Sequence, residues 1–269
     1  IPFYKKTMIF NQFKEDEFKE IDFEPHVSNY FIENFNYSNF FLTKSCTQSL
    51  ELAIMSLRLP YGKEVILPSF GFISIANSVA INGLKCIFVD CEPGTMNINT
   101  NEVLNAITKD TAAIITINYA GVACDYDELI PVCKENNIII IEDNAHGIRA
   151  KYKDQWLGKL GDISTISFDF LKNISCDEGG GMSLNNKSLL TSFEVAFYFG
   201  TNKANFLRGE VNAYEWKGIG SNSKLANYLS EILYYQLVNS ELIIKEFVNK
   251  WQFYFDSLKL LRLIVCIHE

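Results

Sequence analysis

Ile163-Ser-Thr-Ile-Ser167-Phe-Asp-Phe-Leu-Lys172-Asn-Ile-Ser-Cys-Asp-Glu-Gly179-Gly-Gly181 is the stretch on which the fold turns: a serine-bearing apolar strand, one lysine, then a glycine-rich turn. A lysine so placed can hold an aldehyde cofactor through an imine. Upstream, Ile138-Ile-Ile-Ile141 reads as a buried strand and runs into Glu142-Asp143-Asn144-Ala145-His146, which sets a carboxylate where the strand stops. Pyridoxal 5'-phosphate calls for that pair, an amine for the imine and an acid that keeps the ring nitrogen protonated. Alone, Lys172 reads as a strand-end surface lysine and Asp143 as a turn or helix-cap aspartate. Together with Ser167 they read as a site.

Outward from this stretch, short β-branched runs alternate with amphipathic segments. Residues 64–67, 86–89, 113–116 and 138–141 are expected as buried strands, and 47–57, 73–81, 101–106 and 127–134 as helices. Such alternation implies right-handed crossovers and an α/β fold with a mostly parallel sheet, whose ligands bind at the carboxyl ends of the strands. Beyond Asn185-Asn186-Lys187 the text turns helical over 189–198 and from 224 to about 263, with a polar segment over 200–223 between. The expected organisation is a large domain over 1–225, with an N-terminal arm over 1–30. Residues 226–269 then form the helical start of a C-terminal domain that is largely missing.

Composition narrows the function. The chain has 269 residues, 48% of them hydrophobic and 21% charged, and a formal charge of −8, as expected of a globular protein with a sizeable core. No Lys/Arg-rich run offsets the acidity, which argues against nucleic acid and anionic membranes as partners. Seven scattered cysteines without a CxxC pair fit neither a disulfide framework nor a zinc site, so no metal is expected and a reducing cytoplasm is. No apolar run approaches the ~20 residues of a membrane helix. No strand is followed by G-x-G-x-x-G, which removes the nicotinamide-binding alternative.

Further residues can be placed around Lys172 and Asp143. Ser45-Cys46-Thr47-Gln48 precedes an amphipathic helix, and a helix start offers free N–H groups to a phosphate, although an ordinary N-cap looks the same. Ser167 would add a hydroxyl. Phe72 follows a strand and a turn, where an aromatic can cover one face of a flat ring, as well as fill a core. His146 is in reach of the cofactor's phenolic oxygen, or is a packed spacer.

Taken in order, these segments resemble the DegT/StrS family of sugar aminotransferases. The resemblance rests on Ser45-Cys46-Thr47, Pro68-Ser-Phe-Gly-Phe72, Val89-Asp90 with Asn97-Ile98, Glu142-Asp143-x-Ala145-His146-Gly147, and Ser167-Phe168 with Lys172-Asn173 and Glu178-Gly179-Gly180. It implies the aspartate-aminotransferase fold, pyridoxal-phosphate fold type I; within the family, the resemblance of Gly200-Thr-Asn-Lys-Ala-Asn-Phe-Leu-Arg-Gly209 and of Tyr214-x-Trp216 with Gly220-Ser221 implies amino transfer from L-glutamate to the C4 ketone of a nucleotide-linked 4-keto-6-deoxyhexose. By the same resemblance Lys172 is the Schiff-base lysine, Asp143 the pyridinium partner and His146 the group near the ring oxygen. Thr47, Gln48 and Ser167 match phosphate contacts and Phe72 the stacking aromatic. Asn222 matches an asparagine lent to the neighbouring subunit's phosphate, which implies a homodimer with shared active sites. The pattern departs from the family at Cys46 (a glycine there), Leu171 (a threonine) and Asp169 (His or Tyr). A related sugar dehydratase typically lacks the lysine, which is present here. The competing expectation is a truncated, catalytically impaired paralogue that binds cofactor or a partner without turnover.

Overall fold

Alternate residues of the central strands go to opposite cores, as the two-residue repeat of a strand requires. Val65 and Leu67 join one apolar cluster and Ile66, between them, another; Ile115 and Ile114 divide in the same way, as do Ile141 and Ile140. Both faces of the sheet are therefore covered, which is why these runs are apolar throughout rather than alternating with polar residues. Residues 21–260 are described in a computed structural model. The arm expected over 1–30 falls mostly outside them, as does Cys266.

The sheet has seven strands. β1 (Phe40–Thr43), β2 (Glu64–Pro68), β3 (Lys85–Val89), β4 (Thr111–Ile117), β5 (Ile139–Asp143), β8 (Ile163–Ser167) and β9 (Gly180–Leu184) lie in the order β1-β9-β8-β5-β4-β2-β3. The pairs β3·β2, β2·β4, β4·β5 and β5·β8 are parallel, and β9 runs antiparallel to both β8 and β1. β6 (Lys151–Tyr152) and β7 (Gln155–Trp156) form a separate small hairpin. The four strands and four helices expected from the sequence are present, their ends within about two residues.

The 179–181 glycines could be read as a turn or as a close backbone approach, and at Gly180 the second holds. Gly180 and Gly181 do not make a turn: they open β9, and Gly180 pairs with both Ser167 and Thr43. Glycine is needed there for packing, because a Cβ on Gly180 would collide with the backbone of Ser45 and Cys46, and one on Gly181 with the Phe40 ring.

Helices α2 (Cys46–Ser56), α3 (Ser74–Ile81) and α6 (Leu190–Phe197) pack on one face of the sheet, and α4 (Thr100–Ala106) and α5 (Tyr126–Glu135) on the other. A third, aromatic cluster joins α1 (Glu24–Phe35) and α8 (Asn227–Val238) to the end of the sheet. In it the Phe31 ring stacks on Phe40 at 3.9 Å, and Phe168, Ile174, Cys176, Leu233 and Leu237 fill in around the pair. The short α7 (Lys203–Leu207) lies within the polar 200–223 segment. The helical text beyond 224 is two helices rather than one, α8 and α9 (Ser240–Leu260), broken at Asn239. No helix among the described residues is long and apolar enough to cross a membrane.

Candidate active site

The parallel strands all end at one edge of the sheet, and a cavity of about 660 Å³ opens there. Each wall is the loop that follows a strand. Phe70, Gly71 and Phe72 come after β2, Tyr119 after β4, Ala145 and His146 after β5, and Asp169 to Lys172 after β8. Ser45, Cys46 and Thr47 follow β1, and Glu178 and Gly179 lead into the reversed β9. Residues distant in sequence thus meet because a parallel sheet puts its strand ends together.

Asp143 is the last residue of β5 and is buried. One oxygen accepts the Ala145 N–H at 3.1 Å. Burial pushes its carboxyl up to about 6, against the Ala145 hydrogen bond and the Lys172 charge, which both pull it down. Glu142, one residue earlier, faces the opposite side of the strand. Its oxygens accept the Gly158, Leu160 and Gly161 N–H groups at 2.8, 2.7 and 2.6 Å, so it holds the 158–161 turn rather than lining the cavity.

Lys172 lies at the tip of the loop between β8 and β9, and that loop is clamped at its base. Phe168 donates its N–H to the Gly179 carbonyl at 2.9 Å and accepts the Cys176 N–H at 3.0 Å, while Phe168, Ile174 and Cys176 are sunk in the aromatic cluster. The Lys172 N–H turns back to the Asp169 carbonyl at 2.9 Å. Its side chain is half-buried, and no hydrogen bond or ion pair ties its ammonium to another described residue.

At the start of α2, Ser45 is the N-cap and its hydroxyl accepts the Gln48 N–H at 3.1 Å. That leaves the Thr47 side chain and the earlier first-turn amides toward the cavity, at the positive end of the helix dipole. Gln48 does not line the cavity: its Oε1 accepts the Lys44 N–H at 3.3 Å. Ser167 lines it from the end of β8. Cys46 lines it too, its Sγ 3.6 Å from the Thr165 hydroxyl, and burial first, then Asp143, pushes its thiol well above the usual range. Phe72 reaches the cavity rim with 72% of its surface exposed, a position open for stacking on a ligand. Asn222 is exposed away from this cavity, paired through its backbone with Tyr198.

His146 borders the cavity, and its Nδ1 accepts the Ala120 N–H at 3.2 Å. Burial, then the Lys172 charge, holds its imidazole below the ordinary value. Tyr119 packs edge-on against His146 at 5.5 Å and against Phe70 at 5.1 Å. The sequence reading gave Tyr119 no role. The signal for it was positional: it stands two residues beyond the end of a parallel strand, where such sheets place ligand-facing residues.

An amine, a buried carboxylate next to it and a hydroxyl-lined helix start are the donor set that a pyridinium aldehyde carrying a phosphate requires, so the residues present fit pyridoxal phosphate. Fold and site together define the class of fold type I pyridoxal-phosphate enzymes. Within that class the chain belongs to the DegT/DnrJ/EryC1/StrS aminotransferase family, whose model matches residues 16–269. It is 31% identical over 230 residues to an uncharacterized protein of Methanocaldococcus jannaschii, covering 84% of this chain and 58% of that protein. Among solved structures it is similar to PseC of Helicobacter pylori, an aminotransferase of pseudoaminic acid biosynthesis. That match has 21% identity and a TM-score of 0.76, over 83% of this chain and 59% of the other. It is also similar to a GDP-4-keto-6-deoxymannose-3-dehydratase mutant with bound GDP-perosamine, at 21% identity and a TM-score of 0.81, over 89% of this chain and 66% of the other. The chain therefore spans less than two thirds of each of these relatives. Solved structures similar to this chain include pyridoxal-phosphate and pyridoxamine-phosphate forms, and the family's cofactor is pyridoxal 5'-phosphate.

Proposed function

We propose that this chain carries the cofactor-binding half of an aminotransferase that moves an amino group from L-glutamate to a nucleotide-linked 4-keto-6-deoxyhexose. The observation that carries the reading is the convergence of Lys172 and Asp143, from adjacent strands, on one cavity beside the start of α2. When bound, pyridoxal phosphate supplies an aldehyde for the amine and a ring that holds the electrons released as a carbon–hydrogen bond breaks.

The side chains divide the remaining work. The Lys172 amine is the attachment point and, when free, the base that moves a proton at the reacting carbon. The Asp143 carboxylate holds the proton on the ring nitrogen; its raised affinity for protons suits it to share that one. Thr47, Ser167 and the first-turn amides of α2 bind the phosphate, with Gln48 bracing the turn at Lys44. Phe72 covers a ring face, and His146 meets the phenolic oxygen. Asn222, exposed and outside the cavity, serves the phosphate of a second subunit in this reading, in a homodimer with shared sites.

For the substrate, the 200–221 segment of this chain, with Gly200-Thr-Asn-Lys203, Tyr214-x-Trp216 and Gly220-Ser221, most resembles dTDP-4-amino-4,6-dideoxygalactose transaminase. A sugar nucleotide is also the ligand named for the dehydratase relative. The product would serve surface-glycan synthesis in the cytoplasm, where the scattered free cysteines persist. The division into a cofactor domain and a second helical domain is part of this proposal. α8 shares the aromatic cluster with α1, and α9 leaves Trp251, Phe253 and Tyr254 exposed, which supports a further helical unit beyond the cofactor domain.

The test is to load the purified chain with pyridoxal phosphate, add glutamate and measure 2-oxoglutarate. About one equivalent per bound cofactor is expected from a competent half-reaction. Bound cofactor without 2-oxoglutarate would overturn the transaminase reading in favour of a binding-only protein.

A further inference from the structure

His146 can serve the cavity as a hydrogen-bond donor only if its proton sits on Nε2, and the structure contains a device that puts it there. The Ala120 N–H points at Nδ1, which must then be the acceptor; a neutral imidazole so held carries its hydrogen on Nε2. Among the described residues Nε2 has no partner. The amide that imposes this belongs to a backbone turn of unusual shape: Ala120 has φ 52° and ψ 21°, and Gly121 follows with φ 82°. A non-glycine residue in that region persists only where its surroundings hold it.

The holder is Asn97. It lies between β3 and α4, is 2% exposed, and spends its whole side chain on this turn. Its Oδ1 accepts the Tyr119 N–H at 3.0 Å, and its Nδ2 donates to the Val122 and Ala123 carbonyls at 3.0 and 2.9 Å. These bonds bracket Ala120 on both sides. The residue itself is fixed in turn by the Thr95 hydroxyl on its N–H and by the Glu92 N–H on its carbonyl.

We propose that Asn97 is a positioning residue for His146: by clamping the 119–123 turn it presents the Ala120 N–H to Nδ1 and fixes the imidazole as an Nε2–H donor facing the cavity. The inference concerns this chain's own hydrogen bonds and stands apart from the substrate reading. It predicts that forming the imidazolium costs the Ala120 bond, because an N–H cannot donate to a protonated Nδ1. The other groups facing His146 are Lys172, from the loop after β8, and the Tyr119 ring.

The experiment is nitrogen NMR of the chain without cofactor, in which the sequence offers only His26, His146 and His268 to assign. The wild-type protein is expected to show His146 as a single Nε2–H tautomer, titrating below the ordinary value. Asn97→Ala should turn this into a tautomer mixture and raise the His146 pKa by about half to one unit, the size of one hydrogen bond. Should Asn97→Ala not fold, Asn97→Asp keeps the acceptor for Tyr119 but sets a carboxylate oxygen against the Val122 and Ala123 carbonyls, and a shift in the same direction, at least as large, is expected. An unchanged tautomer and titration in a folded variant would overturn the proposal. Loss of glutamate turnover with the His146 signals intact would instead count against the functional reading alone.

Discussion

Asp143 and Lys172 reach the same cavity from neighbouring parallel strands, one at the last residue of β5 and the other five residues past the end of β8, and the lysine's charge opposes the burial that raises the aspartate's pKa. The carboxylate is thus kept in a place where, without a cation, it is costly.

That cost gives a stability prediction with a definite sign. The folded carboxyl titrates near 6 against an ordinary value of 3.8, so between these the native state holds a proton that the unfolded chain has released. Stability from this group is therefore lost as pH rises through the window, and stays lost above it. Asp143→Asn should leave stability nearly unchanged at pH 4 and raise it at pH 7.5 by on the order of 2–3 kcal/mol. Urea unfolding of both proteins at the two pH values measures the difference. A variant less stable than wild type at pH 7.5 would show that the carboxylate is paired rather than strained.

Lys172→Ala should abolish borohydride-fixable labelling by pyridoxal phosphate, a loss of more than about tenfold in retained label, with the fold intact and the unfolding midpoint somewhat lower at neutral pH, because the buried Asp143 carboxylate loses its neighbouring cation. Peptide mapping of the wild-type label should find it at Lys172. Label persisting in the variant would move the attachment to another lysine.

Burial raises the Glu142 carboxyl as it does its neighbour's, but here three backbone hydrogen bonds work against it. Glu142 accepts the N–H groups of Gly158 and Gly161, both buried, and of the partly buried Leu160, so Glu142→Ala should destabilise the fold by roughly 3–5 kcal/mol. Glu142→Gln, which keeps one acceptor oxygen, should lose less. Equal effects of the two variants in thermal unfolding would mean that the carboxylate geometry is not what holds the turn.

Gly180→Ala tests the seam between β9 and the start of α2. Its new methyl meets the Ser45 and Cys46 backbone, which cannot yield without moving the helix start. A cost of about 1–3 kcal/mol is expected, together with weaker pyridoxal-phosphate binding, read by titration. Full cofactor affinity in the variant would place the phosphate elsewhere.

Much of this was legible in the sequence. The strands around residues 66, 87, 114 and 140 and the helices between them announce themselves because each is a local apolar period, set by residues a few positions apart. The break at Asn239 was not legible, since the apolar period continues across it. Strand β1 was missed because its four residues carry too little pattern to stand out. Lys172, Asp143, His146, Ser167, Thr47 and Phe72 were found as motif residues, and all line the cavity; Gln48 was found in the same way and does not, and Asn222, expected at a neighbouring subunit's site, lies outside this one.

What the sequence by itself determined is the alternation of elements and the identity of the chemical groups, because propensity and covalent order are local. What only the tertiary structure decided is the pairing of distant segments. Gly179-Gly180-Gly181 looks like a turn in sequence, and Gly180 and Gly181 become strand only because Thr43 and Ser167 pair with Gly180 on either side, while the Ser45 and Cys46 backbone and the Phe40 ring leave no room for a side chain. Likewise nothing local says that Asn97 governs His146. That link passes through a backbone turn bonded to both, and hydrogen bonds between residues far apart in the chain exist only once the sheet has brought their loops to one edge.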